Sequence, residues 1–137
     1  MWWTYALLSA FFAALTAIFA KVGIKGVDTD LATAIRTVVI LIIAWGIVFF
    51  RGGAGAMANL TRTNILFLCL SGVATGLSWI FYFKALQLGK VSQVAPVDKS
   101  SVVIAILLSM IFLKETLSLK VAIGACLIIS GTIVLIA

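Results

Sequence analysis

The chain is 137 residues long, 64% hydrophobic and only 10% charged, with a formal net charge of +6. A water-facing domain carries about a quarter of its residues as charges. The solvent for most of this surface is therefore lipid, as the mean hydropathy of +1.30 also requires. The ten basic residues are scattered singly or in twos between apolar blocks, the distribution of membrane-surface anchors rather than of a nucleic-acid face. Cys69 and Cys126 both lie within apolar blocks, no CxxC spacing occurs and there is no histidine. Neither a disulfide framework nor a zinc site is expected, and no metal or other cofactor. With one proline and 11 glycines there is no disordered segment in prospect, and a single domain over residues 1–137 is expected.

Five blocks are long enough to cross a bilayer, at roughly 2–20, 31–50, 65–83, 94–113 and 119–137. At about 1.5 Å per residue each matches a hydrocarbon core about 30 Å thick. Hydrocarbon offers backbone groups no hydrogen bonds, so the blocks are predicted to be helices and the fold class all-α.

The first block lacks a basic segment ahead of its apolar run and exceeds a leader's hydrophobic region, so it reads as a retained span. Trp2, Trp3 and Tyr5 suit an interfacial aromatic belt. Ala6, Ala10, Ala13, Ala17 and Ala20 form a small-residue stripe for helix contact, and Ser9 and Thr16 add polar points. Asp30 is placed to cap the second helix. Arg36 lies six positions into that block, where it either reaches the interface or pairs with Asp98 of the same or an opposing chain. The run from Arg51 to Gly55 ends the helix and opens the longest loop, in which Asn59-Leu60-Thr61 matches a glycosylation pattern by chance.

Asn64 is placed to cap the third helix, where Gly72, Gly76 and Phe83 recur at spacings of four and seven. Ser71, Thr75, Trp79 and Tyr82 line a neighbouring face. That face could form the wall of a solute cavity, with cation–π attraction for a cationic solute; helix packing is the plainer alternative. Ser92 is a candidate cap for the fourth block, and Pro96 sits near its start, where a missing N–H is harmless. An earlier start would instead make the same proline loosen the helix and expose carbonyls. Asp98, Lys99 and Ser100 follow it. A charge deep in a span costs about 2.5–3.5 kcal/mol on insertion scales, so such residues usually face protein or a cavity. Lys99 is long enough to snorkel and Asp98 is not. The alternative for Asp98 is an acid favoured by the helix dipole, with no further role. Lys114-Glu115-Thr116 folds the last two spans into a hairpin, Ser118 is a candidate cap, and Gly124 and Gly131 share a face suited to helix or chain–chain contact.

Five spans place the two ends of the chain on opposite sides of the membrane. Arg51, Arg62, Lys114 and Lys120 then share one side, and Lys21, Lys25, Lys84 and Lys90 the other. Orientation follows an excess of Lys and Arg on the cytoplasmic side, and here there is none. Insertion both ways is one expectation, with two copies meeting antiparallel; insertion in a single direction is the other. An odd-span unit joined to an inverted copy is also the architecture of many secondary transporters.

The run Tyr82-Phe83-Lys84-Ala85-Leu86-Gln87-Leu88-Gly89 resembles the end of the third helix in EamA-type domains of the drug/metabolite transporter superfamily. Val94-Ala95-Pro96, then Phe112-Leu113-Lys114-Glu115, and then two glycines seven apart in Gly124–Gly131 are similar to that family in order and spacing. Most members carry two such domains, so the resemblance implies pairing of this chain with itself or a sister chain into a ten-helix unit like an inverted repeat. It implies a secondary transporter of a small organic metabolite or drug-like solute, working by alternating access in a prokaryotic inner or plasma membrane. Val97-Asp98-Lys99-Ser100-Ser101 departs from the family's apolar or proline-containing stretch, so substrate preference does not carry over. Asp98, Lys99, Arg36, Trp79, Tyr82 and Ser100 are the candidate solute or coupling-ion residues, and Gly72, Gly76, Gly124 and Gly131 the candidate packing or dimer contacts. A non-transporting membrane subunit, or half of a heteromeric transporter, is the alternative. An enzyme is not expected, because no nucleophile–base or metal-ligand set can be assembled, and no Walker motif is present. A four-helix small multidrug exporter is set aside by the fifth span and by the absence of an acid in the first helix.

Overall fold

The computed structural model describes all of residues 1–137. Six α-helices run in order: α1 (Trp2–Gly23), α2 (Thr29–Phe50), α3 (Arg62–Leu88), α4 (Val91–Lys99), α5 (Ser101–Phe112) and α6 (Leu119–Ile136), with a 3₁₀ helix (Gly53–Asn59) between α2 and α3. Taken together, α4 and α5 form one membrane-length segment, Val91–Phe112, so the chain has five candidate spans. The chain divides into two compact units: Phe19–Gln87, and Met1–Ile18 together with Leu88–Ala137.

Four of the five spans begin or end beyond their apolar blocks because residues of the end turns stay helical. α3 continues through Lys84 and Gln87 to Leu88 rather than stopping at Phe83. Hydropathy marks where lipid ends, whereas the helix ends only where its terminal groups find other partners. Those partners differ from expectation at three of four N-termini. Asp28, not Asp30, caps α2, its carboxylate accepting from the N–H groups of Asp30 (3.0 Å) and Leu31 (3.1 Å). At α3 the Asn64 N–H donates to Thr61 Oγ1 at 3.1 Å, so Thr61 does the work expected of Asn64. α4 begins after Lys90 with no side-chain cap, and Ser92 lies inside the helix. Ser118 caps α6 as expected, accepting from the Val121 N–H at 3.3 Å.

Within the unit Phe19–Gln87 the core sits at the end of α3. Leu86 and Phe83 are the largest fully buried side chains, at 0% and 1% exposure, and Ile24, Thr29 and Thr33 are also buried. A polar clasp surrounds this core. Lys21 donates to the Leu86 carbonyl, and Gln87 Nε2 donates to the carbonyls of Val27 (3.0 Å) and Ile24 (3.3 Å). Carbonyls in the turn that closes α1 thus receive donors from the segment carrying the family-like run. Gly26 in that turn takes φ +71°, a conformation that disfavours a side chain.

The connection from Arg51 to Asn64 is not an open loop. Gly52, at φ +69°, stops α2, and the 3₁₀ helix packs back on it. Ala44, Trp45, Val48, Gly53, Ala56, Met57 and Leu60 line an apolar cavity of about 280 Å³ there. In the other unit α4, α5 and α6 pack on one another, and Thr132 is the buried residue of α6. The turn after α5 is made by Lys114 at φ +54°, with the Glu115 N–H reaching back to the Ser109 carbonyl at 3.4 Å.

The reassigned cap is open to measurement. Asp28→Ala is expected to destabilise the purified protein by about 1 kcal/mol, and Asp30→Ala by well under half of that. Unfolding in mixed micelles would report both, and equal losses would contradict the assignment.

Candidate solute site

Two clusters of polar side chains lie within spans, one in each unit. The first is built on α2 and α3. Thr29, Thr33 and Thr37 recur at spacing four, so they share a stripe on α2, and Arg36 falls beside Thr37 on that stripe. The Thr33 hydroxyl donates to the Thr29 carbonyl and that of Thr37 to the Thr33 carbonyl, each at 2.8 Å. These hydroxyls are thereby satisfied within their own helix, at the depth where water is scarce. Across from them on α3, Trp79 and Phe83 are four residues apart and therefore stack along one face.

Arg36 joins the two faces. Its Cζ lies 4.4 Å from the centroid of the Trp79 ring and 4.9 Å from that of Phe83. Counting from Thr29, Arg36 lies about 10 Å along its helix, and it is half-buried. Tyr82 borders the group, its ring 6.0 Å from that of Phe83. An arginine stacked over rings gains about 0.5–2 kcal/mol from the ring quadrupoles, the more so as it loses water. This contact changes how the aromatic wall reads. The face expected to attract a cationic solute already holds the protein's own cation.

The second cluster follows Pro96 on α4. Because the helix starts at Val91, Pro96 is interior rather than in the first turn, the earlier start that the alternative reading required. It contributes no donor to the Ser92 carbonyl. Further along, the Ser100 N–H is shared between the carbonyls of Pro96 (3.0 Å) and Val97 (3.1 Å), and the Ser100 hydroxyl donates to Val97 at 2.6 Å. The helix is interrupted at Ser100 and resumes as α5. From α6 the Thr132 hydroxyl bonds chiefly to the Ile128 carbonyl at 2.8 Å and also approaches the Pro96 carbonyl at 3.4 Å. Asp98 and Lys99 pair with each other at 3.4 Å, with side chains 32% and 63% exposed. Asp98 thus has its ionic partner next to it in sequence, and Arg36 has its partners in the rings of α3.

Of the candidate packing glycines, Gly72 and Gly76 lie on α3 and Gly124 and Gly131 on α6, and a Cβ at any of the four would meet nothing within 4 Å. These positions therefore make no close backbone approach inside one chain. Thr29, Thr33, Thr37 and Thr132 escaped the sequence reading. The spacing of four among the first three was the available signal, and Thr132 had none.

An all-helical, multi-pass membrane protein with charged and aromatic side chains gathered inside its spans is the class these features define. The chain belongs to the EamA-like transporter family, whose pattern it matches over residues 1–137. Its family relationships point to a membrane transporter rather than an enzyme. It is 47% identical over 134 residues to a protein of Sinorhizobium sp. described as an uncharacterized transporter in the cobO 3′ region, a match covering 98% of this chain and 95% of that one. It is also 41% identical over 66 residues to an uncharacterized protein of Methanocaldococcus jannaschii, covering 48% of each. No solved structure matches.

The stacked arginine makes a measurable claim. In a double-mutant cycle of Arg36→Met and Trp79→Leu, unfolding in micelles is expected to show a coupling of about 1–2 kcal/mol. Strictly additive losses would contradict the contact.

Proposed function

We propose that this chain is half of a secondary transporter that moves a small organic solute by alternating access, assembled from two copies in antiparallel orientation. The observation that carries the reading is the exposure of charge inside a span. Asp98 and Lys99 are 32% and 63% exposed on a single chain, although they sit well inside the segment Val91–Phe112. Left against hydrocarbon, such groups cost several kcal/mol, and facing a partner or a water-filled path removes that cost. The open glycine faces of α3 and α6 support a close-packed partner, since small residues let membrane helices approach. The even division of basic residues between the two sides supports insertion both ways.

In this reading Asp98 and Ser100 border the path, and the break at Ser100 is where the helix flexes between inward and outward states. Pro96 supplies no N–H to the Ser92 carbonyl one turn earlier, a group able to accept a hydrogen bond from solute or water. Asp98 is the one acid within the five spans outside the first turn of α2, and so the residue placed to carry a coupling proton.

Purified protein in liposomes loaded with a metabolite extract is the direct test. At least one organic solute is expected to leave faster than from protein-free liposomes, with a dimer trapped by cross-linking. Asp98→Asn is expected to abolish acceleration by an imposed pH gradient while leaving the dimer intact. A dimer that moves nothing would favour a scaffolding subunit or half of a heteromer, and a strict monomer would contradict the pairing.

A further inference from the structure

We infer that Arg36, seated on Trp79 and Phe83, binds an anionic group, so that the solute carried in the function proposed above is an organic anion. The charge arithmetic of the unit Phe19–Gln87 comes first. Its acids are Asp28 and Asp30, both at the start of α2. The Asp28 carboxylate is engaged by two backbone N–H groups, and Asp30 lies six residues before Arg36, about 9 Å back along the helix. The chain's ion pair is Asp98 with Lys99, which neutralise each other. Within this unit Arg36 therefore has no carboxylate beside it, and its guanidinium rests on the ring faces of Trp79 and Phe83.

The geometry then selects what completes it. Ring faces satisfy the flat side of a guanidinium but none of its five in-plane N–H donors. Those donors form a planar fork that matches a carboxylate or phosphate, the strongest hydrogen-bonding partner such a group finds. The nearest hydroxyls on α2, those of Thr33 and Thr37, donate to carbonyls of their own helix and sit beside the arginine without neutralising it. A cationic solute is disfavoured twice, by repulsion from Arg36 and because the ring faces that would attract it are taken. A carboxylate or phosphate meets the fork with its charge and needs no ring face that the guanidinium already occupies. The anion has two possible sources, a soluble solute or the headgroup of an acidic lipid.

Replacing Trp2, Trp3 and Trp45 by phenylalanine leaves Trp79 as a single fluorescent reporter among the four tryptophans. In phosphatidylcholine vesicles, benzoate is expected to change its emission saturably, with benzylammonium, of matched shape and opposite charge, at least about tenfold weaker. Arg36→Gln is expected to weaken benzoate by about tenfold or more. Arg36→Lys, which keeps the charge but loses the fork, should fall between them and shows that the site still folds. Repeating the titration with phosphatidylglycerol present separates the sources. Saturable benzoate binding that survives assigns a soluble anion. An Arg36-dependent emission change caused by the acidic lipid itself, which benzoate does not reverse, assigns the headgroup. Equal responses to benzoate and benzylammonium, no saturable response to either anion, or a response unaltered in Arg36→Gln would overturn the inference. Solute counterflow in the same vesicles keeps the two readings apart. Transport confined to cations or neutral solutes defeats the anion site and leaves transport standing. Arg36-dependent benzoate binding with no solute crossing does the reverse.

Discussion

Hydrocarbon cannot hydrogen-bond, and most of what this chain does follows from that constraint. Each backbone carbonyl or charged side chain within the bilayer must be answered by the protein or by water admitted on purpose. The clasp of Lys21 and Gln87 on the carbonyls of Leu86, Ile24 and Val27 is one answer. It lets two helix ends meet without leaving acceptors bare. The threonines of α2 are another, turning each hydroxyl onto the preceding turn of its own helix. Against this background of satisfied groups three places stand out: Arg36 stacked on rings, the part-exposed pair Asp98–Lys99, and Pro96 inside a helix.

Those exceptions share a physical logic. An arginine over aromatic rings is stabilised on its faces and left available at its edge, so it is both tolerable in a membrane and chemically competent. An interior proline weakens a helix locally, and here the polar run Asp98-Lys99-Ser100 follows it, with the helix interrupted at Ser100. A Cβ at the glycines of α3 and α6 would meet nothing within 4 Å, which suits the paired assembly proposed above.

Much of this was legible in the residues. The five spans followed from apolar block length, because lipid punishes any exception, and family membership followed from the ordered fragments between Tyr82 and Gly131. Local capping was less legible. Asp28 and Asp30 are equally good caps by type, and only the backbone turn after Gly26 decides between them. The same ambiguity hid Thr61 behind Asn64. The 3₁₀ helix was missed because a Gly- and Ala-rich stretch reads as loop, whereas its small residues let it lie against α2 beside Trp45. For the candidate site, Arg36, Trp79, Tyr82, Asp98 and Ser100 stood out by type alone. That Arg36 would sit on Trp79 and Phe83 needed the pairing of α2 with α3, which no spacing within one helix encodes.

The central claim is that the polar segment after Pro96 faces water inside the membrane rather than acyl chains. In a chain with Cys69 and Cys126 replaced by alanine, Ser100→Cys can be exposed in intact bilayers to a charged, membrane-impermeant thiosulfonate. Ser100→Cys is predicted to react, because only a water-exposed thiol ionises and attacks such a reagent, while Ile104→Cys on the apolar helix beyond it stays inert. Equal inertness at both positions, with the protein intact, would place Ser100 in lipid and contradict the account.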